Sequence, residues 1–162
     1  MRMHMKRLWW LLLPVAVLAL DYGTKAQILA RFREGEVLAV IPRFFNLTLV
    51  FNPGAIFGSL AHAPASVRTL VFSLAGLLAI GYFGYEFLRE STPRLQRIAL
   101  GLILGGALGN GLDRLRHGQV VDFLDFVFGH WHYWAFNLAD SAIVCGALLM
   151  GLSLLPKRGP TH

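Results

Sequence analysis

Four long apolar stretches, separated by shorter polar or mixed segments, dominate the chain. The first, Leu8 to Leu20, follows the basic residues Arg2, Lys6 and Arg7 and continues in helical register to about Ala30. At about 1.5 Å of rise per residue, that length crosses a hydrocarbon layer of roughly 30 Å. A secretory leader would place small residues after its apolar core. Asp21, Tyr22, Gly23 and Thr24 stand there instead, so a retained first helix over 8–30 is expected. Further spans are predicted over 67–88, 97–114 and 133–155, the last closing before Pro156, Lys157 and Arg158. In the third, Gly101, Gly105 and Gly109 recur every four residues, a small-residue face on which another helix can pack closely.

Alternating topology would send the two intervening segments, 31–66 and 115–132, to one side of the membrane. Val37 to Phe51 (VLAVIPRFFNLTLVF) is rich in β-branched and aromatic residues and is interrupted by Pro42, which favours short strands over a helix. The expected architecture is an all-α membrane protein, four transmembrane helices carrying a small β-rich cap, with 1–162 forming one domain.

Composition agrees: 56% of residues are hydrophobic and 15% charged, far from a soluble domain of this length. The formal charge of +6 would suggest a nucleic-acid partner on a soluble protein. Here eight of the fifteen Lys and Arg flank apolar segments: Arg2, Lys6 and Arg7, then Arg89, Arg94 and Arg97, then Lys157 and Arg158. Such flanking charge anchors helix ends and puts both termini in the cytoplasm, so no nucleic-acid partner is expected. The single cysteine, Cys145, lies in an apolar run and reads as an inert packed thiol.

Ionisable groups at membrane depth are costly and are functional candidates by default. Asp21 and Lys25 share a face of the first span, Asn110, Asp113 and Arg114 close the third, and Asn137 and Asp140 open the fourth. All these ends fall on the capped side, as do Asn52 and Asp122. Asp21 with Lys25, and Asp113 with Arg114, could be ordinary ion pairs. Asp122 and Asp140 have no local counter-charge and apolar neighbours, in VVDFLDF and FNLADSAI. Two carboxylates in a low-dielectric site cannot both ionise easily, so one becomes an acid and the other a base. Such a pair hydrolyses a peptide bond through activated water, without metal or covalent intermediate. Asp125 stays open as a rival partner, because it would share a face with Asp122 on a helix. No nucleophile elbow or HExxH pair is present, and His130 and His132 read with Trp131 as an interfacial belt. A proton or ion relay would predict mid-helix polar groups and repeated halves, and a packing scaffold would make the aspartates structural.

Four short patterns occur in order: DYGTK (Asp21 to Lys25), NPGAIFG (Asn52 to Gly58), GNGLDRLRHGQVVDF (Gly109 to Phe123) and FNLADSAI (Phe136 to Ile143). Together they resemble the D-x-x-T-K, N-x-G-A-x-F, G-N-x-x-D-R-x-x-x-G-x-V-V-D-F and F-N-x-A-D motifs of the lipoprotein signal peptidases (signal peptidase II). The resemblance implies catalytic aspartates at Asp122 and Asp140, against Asp125. It implies that Asn52, Gly54, Asn110, Arg114, Asn137 and Ala139 line the substrate site, with Asp21, Lys25 and Asp113 in support, and that no metal or cofactor is needed. It further implies a monomeric, multi-pass protein of the bacterial inner membrane, its site on the periplasmic side under the 31–66 cap. The substrate would be a diacylglyceryl-modified prolipoprotein, presented among membrane lipid and cut before its lipidated cysteine. Other membrane aspartyl proteases carry a G-x-G-D motif that is missing from this sequence.

Overall fold

The computed structural model describes residues 9–53, 64–129 and 131–155. Its helices are α1 (Leu12–Arg31, after a 3-10 turn at Trp9–Leu11), α2 (Ala65–Leu88), α3 (Arg94–His117) and α4 (Leu138–Leu154). Pro64 and Pro93, both extended, immediately precede α2 and α3. Each is a position where the missing N–H costs a helix start nothing. Gly118, at φ 71°, closes α3 by turning its N–H back to the Arg114 carbonyl. Only glycine takes that left-handed turn at little cost.

The cap is an antiparallel sheet in the order β1 (Val37–Ile41), β2 (Phe45–Asn52), β3 (Val120–Phe128), β4 (Trp131–His132). Pro42 falls in the tight turn between β1 and β2, where its missing N–H leaves no ladder bond unmade. The segment that pattern alone left open between helix and strand, around VVDFLDF, is the strand β3. This settles the geometry of its two aspartates. Positions three apart on a strand point to opposite faces. Asp125 accordingly pairs with Asn46, its cross-strand neighbour (Asn46 Nδ2 to Asp125 Oδ2, 2.8 Å), while Asp122 faces the helices.

The last helix starts later than the 133–155 span expected from hydropathy. Phe136 is bridged to Leu124 of β3 by backbone hydrogen bonds, and Asn137 caps α4. The chain from Tyr133 to Phe136 is therefore drawn into the cap. Cys145 is also not packed as expected. It is exposed on the outside of α4.

Burial is inverted relative to a soluble bundle. Leu70, Leu77 and Leu78 of α2 and Val144, Leu148 and Leu152 of α4 are exposed, whereas Asp21, Lys25, Asn110, Asp113, Asp122 and Asn137 are buried. Apolar surface outside and polar groups inside suit a lipid solvent. The stretch Trp9–Arg31, which includes α1, and helix α3 are long and apolar enough to cross a membrane, while Ser73–Leu88 within α2 and helix α4 are apolar but shorter. At the end of the bundle remote from the sheet, Arg94 and Arg97 lie over the Trp10 ring, at 6.0 and 5.6 Å from its centroid. Aromatic and basic residues together are typical of a membrane interface.

Helix α3 is the hub. Its Gly105 backs onto α1, where a Cβ would stand 2.6 Å from the Val17 Cβ. A neighbouring glycine that the four-residue spacing did not flag, Gly106, faces the other way, and a Cβ there would collide with the Ala139 carbonyl of α4. Close approach on both sides brings the starts of α4 and β3 against the ends of α1 and α3.

Candidate active site

The site is assembled where the sheet meets the helices, and it is organised by one buried cation. Lys25 is 2% exposed. Its Nζ reaches Asp21 Oδ2 at 2.7 Å and Asp113 Oδ2 at 2.8 Å, and donates to Asn110 Oδ1 at 3.1 Å. An ammonium has three donors, and all three are used. Asp113 therefore pairs with Lys25 across the helices rather than with the adjacent Arg114. The two carboxylates reach further. Asp21 Oδ1 accepts the backbone N–H of Ala139 at 2.9 Å, and Asp113 Oδ2 accepts that of Val121 at 3.0 Å. Each is thus bonded to the residue next to one aspartate of the Asp122/Asp140 pair. The supporting trio positions the two segments that carry that pair.

Two asparagines pass this order inward. Because Asn110 Oδ1 is held by Lys25, its Nδ2 must face the other way, and it donates to Asp140 Oδ1 at 2.7 Å. Asn137 caps α4 reciprocally with Asp140. Its Oδ1 accepts the Asp140 N–H at 2.9 Å, while Asp140 Oδ2 accepts the Asn137 N–H at 3.2 Å. This capping box locks the Asp140 rotamer at the N-terminus of a helix, where negative charge is favoured. The Asn137 Nδ2 then donates to Asp122 Oδ1 at 2.7 Å, and also faces Asn110 Oδ1 and the Val121 carbonyl. One residue, fully buried, thereby fixes both carboxylates.

Asp122 Oδ2 accepts a further bond from Asn52 Nδ2 of β2, at 2.9 Å. Burial pushes the Asp122 carboxyl up to about 7, and the negative charge of Asp140 adds to that effect, against the opposing amides of Asn52 and Asn137 and the charge of Lys25. Asp140 is only half-buried, so the pair combines a sequestered carboxyl with an accessible one. Arg114 donates from Nη1 to the Asn110 carbonyl at 3.2 Å, and its guanidinium is coupled electrostatically to Asp140 and Asp122. Ala139 is fully buried, and contributes its N–H to Asp21 and a small side chain beside Gly109. Gly54 lies outside the described residues.

Of the residues singled out from sequence, Asp21, Lys25, Asn52, Asn110, Asp113, Asp122, Asn137 and Asp140 thus form one bonded network, which Arg114 and Ala139 adjoin. A pair of this kind, one carboxyl held near neutrality and one open to solvent, can exchange protons with a water and a carbonyl placed between them.

Relatives share this architecture and much of the sequence. The family model for Signal peptidase (SPase) II matches residues 13–156. A lipoprotein signal peptidase of Burkholderia mallei is 48% identical over 87% of this chain and 84% of its own, and one of Syntrophus aciditrophicus is 43% identical over 88% and 89%. Two solved structures, described as bacterial membrane enzymes determined by the in meso method, superpose with a TM-score of 0.80 each. They are 30% and 32% identical, and cover 94% and 91% of this chain and 94% and 93% of theirs. With its polar network, its inverted burial and a match over nearly its whole length, the chain belongs to the signal peptidase II family of lipoprotein signal peptidases.

Proposed function

We propose that the protein is an aspartyl endopeptidase that removes the signal peptide from diacylglyceryl-modified prolipoproteins, cutting the bond before the lipidated cysteine. The observation that carries the reading is the shared clamp of Asn137 on Asp122 and Asp140, which holds two carboxylates from different elements in one site.

In this mechanism Asp122, the more buried carboxyl, starts as the acid, and Asp140, the more accessible one, acts as the base. Asp140 takes a proton from a water as its oxygen adds to the scissile carbonyl. Asp122 protonates the carbonyl oxygen, giving a neutral tetrahedral diol. The proton gained by Asp140 then passes to the amide nitrogen, the carbon–nitrogen bond breaks, and a diol proton returns to Asp122. The products are a signal peptide with a new carboxyl end and a lipoprotein with a free cysteine amine. Asn52, Asn110 and Arg114 orient the pair and the substrate backbone, and Gly54 completes the binding site. Asp21, Lys25 and Asp113 hold the frame. The reaction needs neither metal nor cofactor.

Helices α1 to α4 all span the inner membrane, with both termini cytoplasmic and the sheet on the periplasmic surface. Exposed apolar faces on α2 and α4, and the Trp10, Arg94 and Arg97 cluster opposite the sheet, support this orientation. A lipid-anchored cleavage site arrives at that depth without leaving the bilayer. The protein acts as a monomer on a substrate presented by membrane lipid, with no nucleic acid involved.

The test is to incubate the purified protein in lipid with a prolipoprotein, with and without its diacylglyceryl group, and to sequence the product. Cleavage of the lipidated form alone, with lipid-modified cysteine at the new N-terminus, is expected. Cutting elsewhere, or cutting that ignores the lipid, would overturn the assignment.

A further inference from the structure

The start of α3 carries charge of the sign that a helix start disfavours. Unsatisfied N–H groups and the helix dipole make an N-terminus positive, so acidic side chains suit it and basic ones suit the other end. The last turn of α3 follows this rule, with Arg114, Arg116 and His117. The first turn breaks it. Pro93 offers no side-chain cap, the turn holds no acidic residue, and Arg94 and Arg97 stand there instead.

Their surroundings leave that charge largely uncompensated. Among the described residues, neither Arg94 nor Arg97 forms an ion pair with a carboxylate. Glu86 of α2 bonds Arg89 at 3.3 Å, and Glu90 meets Arg97 through its backbone carbonyl at 3.4 Å. Arg97 also donates from Nη2 to the Arg89 carbonyl at 2.8 Å, which fixes its guanidinium in place. Arg94 is exposed and rests on the Trp10 ring, which Arg97 shares, so two like charges meet over one indole. The rim of the cluster is apolar. Trp9, Leu12, Leu88 and Leu95 are all exposed, and a narrow cleft lined by Trp10, Phe87, Leu88 and Arg97 joins that surface to the charge.

We propose that this cluster is a headgroup site for an anionic phospholipid of the leaflet opposite the sheet. The lipid phosphate accepts from Arg94 and Arg97 and lies at the open N–H groups of the first turn of α3, which reverses the sign of that helix end. The acyl chains follow the apolar rim formed by Leu88 and Leu95. Exposed apolar surface beside the charge favours a membrane lipid over a soluble anion. A zwitterionic lipid brings its own cation, which two unpaired guanidiniums repel, so the site selects net negative charge. The bound lipid ties the end of α2 and the start of α3 to Trp10, far from the two aspartates, and the inference does not depend on the peptidase reading.

The experiment counts bound lipid by native mass spectrometry of the purified full-length protein in detergent, titrated with phosphatidylglycerol or with phosphatidylcholine of the same acyl chains. The unsubstituted protein should bind one phosphatidylglycerol about tenfold or more tightly than phosphatidylcholine. Arg94→Gln, at an exposed side chain, should weaken that binding about fivefold, the effect of one cation on an anionic lipid. Adding Arg97→Gln should abolish the preference. Arg43→Gln removes the same charge from the turn between β1 and β2, at the other end of the molecule, and should leave the preference unchanged. Glycerol 1-phosphate at equal concentration should not displace the lipid. Equal affinity for the two lipids, a preference that survives the double substitution, or an equal loss in Arg43→Gln would overturn the site. Displacement by glycerol 1-phosphate would show a site for a free phosphate ester and overturn the lipid assignment.

Discussion

Asp122 is the group whose chemistry differs most from its ordinary behaviour. Burial, with help from Asp140, raises its carboxyl to about 7, so it keeps a proton where a solvent-exposed aspartate has lost it. In the proposed mechanism the pair is active while it shares one proton. The rate should be bell-shaped in pH, with its alkaline limb near 7, and a rate flat from about pH 4 to 9 would exclude acid–base work by these groups. The same shift affects folding. A carboxyl whose folded value is raised contributes stability below its unfolded value and loses that contribution as pH climbs through the folded one. Asp122→Asn removes the group that becomes costly when ionised. Relative to the unsubstituted protein, its Tm should be more favourable at pH 8 than at pH 5, a difference that thermal unfolding in detergent reads directly. Asp125 provides the contrast. It bonds Asn46 on the far side of β3, so Asp125→Asn should leave cleavage within about threefold, the range expected of a group outside the reacting set. The cluster of costly polar residues was legible from the chain because apolar surroundings make each of them conspicuous. The choice between Asp122 and Asp125 was not legible from pattern alone. It depends on whether 120–128 repeats every two residues or every 3.6, and a short apolar run supports either reading.

Helix packing explains how a few side chains can be held so closely. Lys25 binds α1 to α3 directly and, through Asp21 and Asp113, to the first turn of α4 and the start of β3. Removing a buried charge leaves its partners uncompensated. Lys25→Met should therefore cost about 3–5 kcal/mol, seen as a large fall in Tm, whereas loss of activity without loss of stability would show a role beyond framing. Gly106 is the matching steric element. Gly106→Leu would place a side chain against the Ala139 carbonyl, and should separate α3 from α4 at a cost of about 1–3 kcal/mol or more, with activity falling in parallel. The existence of the helices could be read from hydropathy to within a few residues at most ends. The start of α4 could not. Tyr133 to Phe136 is uncharged and aromatic and so merges with the apolar run that follows, yet its backbone is spent on the sheet and the helix begins at the Asn137 and Asp140 cap. Hydropathy carries no information about which partner a backbone group will find.

Taken together, the described residues form a bundle with apolar side chains on its outer face and a cluster of buried polar and charged groups gathered at one end. In the proposed function, that distribution and the sheet beside it put the two aspartates at the depth where a lipid-anchored peptide would present its cleavage bond. The proposed topology makes a clear prediction: alkaline phosphatase fused after Gly129 should be active, and fused after Leu155 it should be inactive, because in that topology only the first is exported. The most direct test of the whole reading lies with the two aspartates. Purified protein, Asp122→Asn and Asp140→Asn are compared for cleavage of a diacylglyceryl-prolipoprotein, alongside their thermal unfolding. Loss of about 10³-fold or more in each variant, with folded protein retained, is the predicted result. Substantial cleavage by either variant would contradict a mechanism in which the two carboxylates act as a pair.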